Sequence, residues 1–304
     1  MTRTPTRLAV LAAVAVAARR ATATSGTSGI DARDLTGRTA VVTGAGSGIG
    51  RAVARLLAER GAALHLADRD APAVEAVAAA VRAAGGTAVA HVLDVADAQA
   101  VGRLADEVFA AGPVDLLFNN AGIGHAGAVA DTTLDDWRRL VDVNLMGVVH
   151  GVHAFLPRLL AQGRPAHVVN TASVAGLVPG PGLVPYSTTK AAVVGLSEGL
   201  DVELAGTGVR VSALCPGVID TDIIRTSTMR GEWAQRQAHT AEVYARRGTS
   251  PDVVARAALD AVTRGRTIVP TPRYQVVPPW LLKRLLPAAS RAVMATVVRR
   301  VSRG

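Results

Sequence analysis

From residue 36 onward the chain alternates short apolar runs with longer segments of helical period. The apolar runs predict strands at 36–42, 64–67, 88–93, 114–119, 166–171 and 209–215. The helical patterns between them predict helices at 50–60, 71–84, 98–111, 134–157 and 186–204. This alternation predicts an α/β fold, a doubly wound parallel sheet with helices on both faces. We expect one such domain over 35–270, with an N-terminal extension over 1–34 and a C-terminal tail over 271–304.

Composition supports this architecture and separates the tail from the body. The chain is 49% apolar and 3% aromatic, so its core is expected to consist mainly of Ala, Val and Leu, which suits parallel strands under helices. Nine basic residues and no acidic one follow residue 260, whereas the rest carries 24 basic and 24 acidic residues. The body is therefore not predicted to bind nucleic acid. The tail is either simply solvated or meets an anionic membrane surface or acidic partner.

The turn after the first predicted strand is rich in glycine. Glycine lets the backbone turn sharply and approach a pyrophosphate, and the N-terminus of the following helix favours negative charge. Because position 49 is Ile, the spacing is Thr-Gly-x-x-x-Gly-x-Gly and not Gly-x-Gly-x-x-Gly. The predicted contacts in this turn are Thr43, Gly44, Ser47, Gly48, Ile49 and Gly50.

A second motif pairs a tyrosine with a lysine. Tyr186 and Lys190 are four residues apart, so both side chains lie on one face of the predicted helix. A neighbouring ammonium favours the phenolate of a tyrosine, whose pKa in solution is about 10. Lys190 is one of only two lysines against 31 arginines, which makes a chance pairing unlikely to explain the motif. Ser173, at the end of the preceding strand, is placed to hydrogen-bond a substrate oxygen.

With these motifs the sequence resembles the short-chain dehydrogenase/reductase family over about residues 35–260. Asn119-Asn120-Ala121-Gly122, at the end of the fourth strand, adds to the resemblance. The family implies a Rossmann-like fold and a catalytic tetrad of Asn144, Ser173, Tyr186 and Lys190. From sequence alone, Asn144 inside an apolar helix indicates either a solvated kink or a water-holding site. The resemblance implies the second, a water relay to Lys190.

The resemblance also implies the reaction. Tyr186 would take the proton of an alcohol, and Ser173 would hydrogen-bond the alcohol oxygen. Lys190 would lower the tyrosine pKa and bind the ribose of the cofactor. The hydride would pass from the alcohol carbon to the nicotinamide. The histidines and the single cysteine form no ligand-spaced cluster, so no metal is predicted. The alternative is a cofactor-binding redox sensor or scaffold with little catalysis, which would have no need of Tyr186 or Lys190.

Asp68 closes the second strand, where a carboxylate accepts hydrogen bonds from ribose hydroxyls and repels a 2′-phosphate. This favours NAD over NADP, although the adjacent Arg69 offers a partner for a phosphate. The other cofactor contacts expected from the resemblance are Asp94, Val95, Asn120, Ala121, Gly122, Tyr186, Lys190, Pro216, Gly217, Val218 and Thr221.

Two segments bear on the substrate. Residues 174–185 carry no charge and lie between Ser173 and Tyr186, which predicts an apolar sterol, retinoid-like or fatty alcohol, or its ketone or aldehyde. The alternative is that these residues only pack. Residues 220–247 form a long mixed loop, which predicts a mobile lid.

The family resemblance implies a homodimer or homotetramer formed by the helices that bear Asn144 and Tyr186.

The termini and the cysteine count bear on location. The single Cys215 excludes an intrachain disulfide and fits a reducing compartment, so we expect a cytoplasmic protein. Residues 8–18 are an apolar run between arginines, shorter than the roughly 20 residues that span a bilayer. Residues 280–301 mix apolar residues with paired bases, which indicates either membrane surface contact or a helix that covers another subunit. A third possible function, a membrane-anchored structural subunit, is indicated by these terminal segments alone.

Overall fold

The structure, a computed structural model, describes residues 29–301, the last five of them by backbone alone. Seven parallel strands form the central sheet, in the order β3-β2-β1-β4-β6-β7-β9. They are β1 (Thr39–Thr43), β2 (Ala63–Asp68), β3 (Thr87–Val92), β4 (Leu116–Asn119), β6 (Ala166–Thr171), β7 (Val209–Pro216) and β9 (Ile268–Thr271). A separate parallel pair joins β5 (His125–Ala126) to β8 (Thr228–Met229). The apolar run at 8–18 lies outside the described residues.

Helices follow most of the strands. They are α1 (Gly48–Glu59), α2 (Ala71–Ala83), α3 (Ala98–Ala111), α4 (Leu134–Val141), α5 (Gly147–Ala161), α6 (Val174–Leu177), α7 (Val184–Glu203), α8 (Ile223–Thr226), α9 (Glu232–Gln235), α10 (Gln237–Arg247), α11 (Pro251–Arg264), α12 (Arg273–Leu285) and α13 (Pro287–Val301). A short 3₁₀ turn (Val129–Asp131) precedes α4, and a π-helical turn (Asp142–Met146) joins α4 to α5.

The helices cover both faces of the sheet. Alanine, valine and leucine side chains of α1, α2 and α11 fill one layer of the core, and those of α3 and α5 fill the opposite layer. The strand order reverses between β1 and β4, which places a crevice at the carboxyl ends of these two strands. The predicted α/β, doubly wound, Rossmann-like fold is therefore confirmed.

Both ends of the described chain pack against this core. Ile30, Ala32 and Leu35 are buried under the layer formed by α1 and α11. The predicted boundary between residues 270 and 271 falls inside β9, and Val276 of the following helix α12 is fully buried. The division of the chain into domains stays a prediction.

One continuous helical stretch, Leu134–Ala161, is long and apolar enough to cross a membrane by length and composition. Its Val148, Phe155 and Leu159 pack into the protein core, and 39% of its most apolar window is buried inside the molecule. Burial in the fold therefore accounts for part of its apolar character.

Candidate active site

The turn between β1 and α1 is shaped by glycines. Gly44 and Gly48 have φ angles of +65° and +49°, a region that side chains disfavour. A Cβ built on Gly50 would lie 1.9 Å from the carbonyl oxygen of Gly44. Ser47 caps α1 without a side-chain hydrogen bond, so it leaves the first N–H groups of the helix unclaimed. This cradle, with free N–H groups at its floor, fits a pyrophosphate.

Asn120 and Thr43 hold this turn against β4. The Thr43 hydroxyl accepts from the N–H groups of Asn120 and Ala121 at 3.0 and 3.2 Å. The Asn120 amide donates to the carbonyls of Thr43 and Gly44 at 3.1 and 3.2 Å, and its Oδ1 accepts from the Thr171 hydroxyl at 3.2 Å. Three strands, β1, β4 and β6, are thus tied together at the edge where the cofactor loop begins.

Asp68 lies beside the same turn. Its Oδ2 accepts from the Gly46 N–H at 2.9 Å and its Oδ1 from the Asp70 N–H at 3.1 Å. Next to it opens a cavity of 320 Å³. The residues that line it, of both charges, are Arg69, Asp94, Ala96, Asp135, Arg138, Arg139, Asp142 and Val143. Val95 is not among them, because its side chain is buried against Gly147.

Asn144 occupies the π-helical turn and is 0% exposed. Its Oδ1 accepts from the Ile123 N–H at 2.8 Å, and its Nδ2 donates to the Ile123 carbonyl at 2.9 Å. A solvated kink is thereby excluded, because the amide faces inward and bonds the chain after β4. A Cβ on Gly122 would lie 3.2 Å from Asn144 Oδ1 and 3.3 Å from Lys190 Nζ, so the two polar groups converge on this glycine.

Tyr186 and Lys190 project from α7 on one face. Lys190 is 3% exposed; its Nζ donates to the Thr171 carbonyl at 2.8 Å and lies 5.9 Å from the centre of the Tyr186 ring. Ser173 is buried at the start of α6, where its hydroxyl accepts from the Ala175 N–H at 3.1 Å. The four predicted catalytic residues thus belong to segments that meet at the carboxyl ends of β4 and β6.

Burial controls the protonation of this pair. It raises the pKa of Tyr186 to about 12, against the opposing effect of a hydrogen bond with Ser173. It lowers the pKa of Lys190 to about 8. That Lys190 lowers the tyrosine pKa stays a prediction; in the structure its ammonium lies over the ring and donates to the Thr171 carbonyl.

The segment after β7 is held by Thr271 and Gln275, which no sequence motif indicates. The Gly217 N–H donates to the Thr271 carbonyl, and the Val218 N–H donates to Gln275 Oε1, both at 2.8 Å. Thr221 approaches the phosphate turn, since a Cβ on Gly48 would lie 3.1 Å from its methyl group. Gln275 lies outside the region of family resemblance, and no local pattern marks it.

The predicted lid, residues 220–247, is not an irregular loop but three short helices and strand β8. Arg230 attaches this segment to α4 by donating two hydrogen bonds to the Asp136 carboxylate, at 2.9 and 2.8 Å. Trp233 packs so closely on Gly182 that a Cβ there would lie 2.3 Å from its ring. The aromatic ring therefore covers the uncharged segment between Ser173 and Tyr186.

His125 also lies under this cover. The side chain is 2% exposed, and neither ring nitrogen has a hydrogen-bond partner among the described residues. Burial lowers its pKa, so the ring is neutral. Within the same described part of the chain, no group of three or more His, Cys, Asp or Glu side chains is arranged to hold a metal ion.

The family model described as short chain dehydrogenase matches residues 38–231, well over half of the chain. The chain belongs to the short-chain dehydrogenase/reductase family. The predicted family is thereby confirmed. Its members that match this chain include named dehydrogenases and crystal structures with NAD or NADP bound.

Three members of the family illustrate the likeness. The crystal structure of a family member from Burkholderia phymatum in complex with NAD has a TM-score of 0.77 at 36% identity, covering 83% of this chain and 94% of that one. A 1-deoxy-11-beta-hydroxypentalenate dehydrogenase of Streptomyces exfoliatus is 42% identical over 63% of this chain and 70% of its own. The probable oxidoreductase EphD of Mycobacterium tuberculosis is 40% identical over 83% of this chain, but the match spans only 43% of that protein.

Proposed function

We propose that this enzyme interconverts an apolar alcohol and its ketone or aldehyde, with NAD as the preferred cofactor. The observation that carries the proposal is the convergence of Asn144, Ser173, Tyr186 and Lys190 beside the glycine cradle of β1 and α1. A protein that only binds the cofactor would need the cradle but not the buried tyrosine and lysine.

Each side chain has a part that follows from its contacts. Ser173 stands beside Tyr186 and would hold the substrate oxygen. The phenol of Tyr186 exchanges the proton with that oxygen, and Lys190 supplies positive charge nearby. Asn144 holds Ile123 and, with it, the neighbouring Gly122 in place. Because Gly122 has no side chain, a water molecule would fit beside the Lys190 ammonium and connect that ammonium to solvent. Bound NAD would accept the hydride from the alcohol carbon or return it to the carbonyl.

The preference for NAD rests on Asp68. Its carboxylate stands at the end of β2, held by two backbone N–H groups, and would accept hydrogen bonds from ribose hydroxyls. A 2′-phosphate placed there would meet a fixed negative charge. Arg69 lines the adjacent cavity and is the group through which NADP would compete.

The apolar substrate rests on residues 174–185 and their cover. Leu177 and Val178 pack into the core, whereas Gly182 faces the ring of Trp233. Burial also raises the pKa of Tyr244, which approaches Tyr186 from α10, so Tyr244 adds no charge beside the catalytic tyrosine at neutral pH. A pocket with such walls selects an apolar molecule with one hydroxyl or carbonyl. The relative from Streptomyces exfoliatus, named a hydroxypentalenate dehydrogenase, supports an alcohol as the reacting group.

We also propose that the enzyme is cytoplasmic, where its cofactor is available, and that it forms a homodimer or homotetramer. The helices that bear Asn144 and Tyr186 would form the subunit contact. Val202, near the end of α7, is 77% exposed and offers apolar surface for it. Light scattering of the purified protein tests this assembly, and a monomer at micromolar concentration would contradict it.

The function is tested by following nicotinamide absorbance with NAD or NADP against a panel of apolar secondary alcohols and ketones. Wild type is compared with Tyr186→Phe, which keeps the ring and removes the hydroxyl. We expect turnover that prefers NAD and collapses in the variant. Binding of NAD without turnover of any panel member, unchanged by the substitution, would instead support the redox sensor.

A further inference from the structure

Helix α12 carries an apolar stripe on its outer side. Tyr274, Pro278, Leu281 and Leu285 are spaced four, three and four residues apart, so they fall within an arc of about 60° on the helix. Tyr274 is 72% exposed, Leu281 45% and Leu285 73%. The opposite face already packs on the protein through Val276, which is fully buried. The exposed stripe is therefore a second apolar face, which none of the described residues covers.

Two more large apolar side chains are exposed just after the stripe in the chain. Leu286, which ends the helix, is 58% exposed, and Val293 of α13 is 49% exposed. We call Tyr274, Leu281, Leu285, Leu286 and Val293 the outer tail face. Large apolar side chains gathered in this way mark a contact surface more often than scattered ones do.

Positive charge borders the outer tail face. Arg273 and Arg284 are eleven residues apart, three helical turns, so both stand along the same flank of the stripe. The Arg284 guanidinium lies over the Trp280 ring at 5.6 Å, which keeps it close to the helix. No acidic residue follows Asp260 in the sequence. A partner for this surface must therefore be apolar in part and negatively charged in part.

We propose that the outer tail face binds an anionic lipid surface. Leucines would enter the boundary between headgroups and acyl chains, and the arginines would meet the phosphates. A second copy of the chain fits less well, because a symmetric contact through this face would bring Arg273 and Arg284 against their own equivalents with no carboxylate between them.

The same helix is braced on the active site. Lys283 donates to the Leu177 carbonyl at 2.6 Å, at the uncharged segment between Ser173 and Tyr186. Gln275 holds the Val218 N–H at 2.8 Å. A lipid surface on the outer tail face would thus lie next to the substrate pocket, and an apolar alcohol could enter from the bilayer. This consequence rests on the proposed function, whereas the lipid contact does not.

Co-sedimentation of the full chain with vesicles tests the contact. One set of vesicles contains phosphatidylglycerol and phosphatidylcholine, and the other phosphatidylcholine alone. Wild type is compared with Leu281→Ser/Leu285→Ser and with Arg273→Gln/Arg284→Gln. The matched control, Val89→Ser/Arg103→Gln, changes a valine and an arginine that are exposed elsewhere.

We expect binding to the anionic vesicles only, weakened by salt. Loss of the two arginines should lower the partition coefficient roughly 30-fold, and loss of the two leucines about tenfold or more. The control should bind as wild type does. Absence of wild-type binding, or equal binding by the tail variants, would overturn the proposal. So would tail variants that change the oligomeric state but not vesicle binding, since a second copy would then occupy the face.

Turnover of the same panel of apolar secondary alcohols and ketones is measured in parallel, without vesicles. A chain that binds anionic vesicles through this face but reduces no cofactor would uphold the lipid contact and refute the proposed function. A chain that turns over the panel but does not bind vesicles would uphold the proposed function and refute the lipid contact.

Discussion

Replacement of Gly50 by alanine tests the tightest contact in the cofactor cradle. The added methyl would lie 1.9 Å from the Gly44 carbonyl oxygen and 2.6 Å from Asn120 Nδ2, so the turn must open by more than 1 Å. Overpacking of this kind costs about 1–3 kcal/mol. Displacing Asn120 also weakens its two hydrogen bonds to the turn, at about 1 kcal/mol each. Alanine regains about 1 kcal/mol of helix propensity, which leaves a net loss of about 2–4 kcal/mol.

Gly102→Ala is the matched control for this substitution. Gly102 lies inside α3, and a Cβ there meets nothing within 4 Å, so the same change should stabilise the protein by up to about 1 kcal/mol. Thermal unfolding and titration with NAD are followed for both variants. We expect Gly50→Ala to melt roughly 5–15 °C lower and to bind NAD at least tenfold more weakly, whereas the control melts slightly higher and binds normally. Unchanged melting and NAD affinity in Gly50→Ala would refute the steric reasoning.

Four further substitutions test the site. Tyr186→Phe should lower kcat by about 10²–10⁴-fold in steady-state assays while NAD affinity, measured by fluorescence, is kept; a loss below tenfold would contradict its role in proton transfer. Asp68→Ala should shift the ratio of kcat/KM from NAD towards NADP by about tenfold, equal to roughly 1.4 kcal/mol, and an unchanged ratio would remove the argument for NAD. Burial holds the pKa of Lys190 at about 8, below its ordinary value of 10.5. Between pH 8 and 10 the folded protein therefore loses this proton while the unfolded chain still keeps it. Denaturant unfolding should therefore show wild type gaining stability relative to Lys190→Met as pH rises from 8 to 10, and a constant difference would count against it. Asn144→Ala should cost about 2–4 kcal/mol in the same assay, because the backbone N–H and C=O of Ile123 lose their partner; a loss below 1 kcal/mol would show that water replaces the amide.

Features with a local period could be predicted from the sequence. The apolar runs predicted six of the seven strands of the central sheet to within a few residues, but they did not predict β9. The spacing of Tyr186 and Lys190 sufficed to place both on one helix face, because both positions belong to a single regular element. The glycine spacing similarly indicated a close backbone approach, which the contact between Gly50 and Gly44 realises.

Contacts between distant segments could not be predicted in this way. Gln275 reaches Val218 across 57 positions, and Trp233 covers Gly182 from a segment with no clear period. The π-helical turn carries Asn144, whose amide bonds inward to Ile123, and no helical pattern indicates either feature. The pKa values of the catalytic pair follow from burial in the finished fold.

Hydride transfer assisted by Tyr186 is measured directly by the transfer of an isotope label from substrate to cofactor. An apolar secondary alcohol, deuterated at its hydroxyl-bearing carbon, is incubated with the protein and NAD, and the nicotinamide ring is analysed by mass spectrometry. We expect one deuterium on the reduced ring with wild type and almost none with Tyr186→Phe. Reduced cofactor without deuterium, or equal transfer by both proteins, would contradict this mechanism.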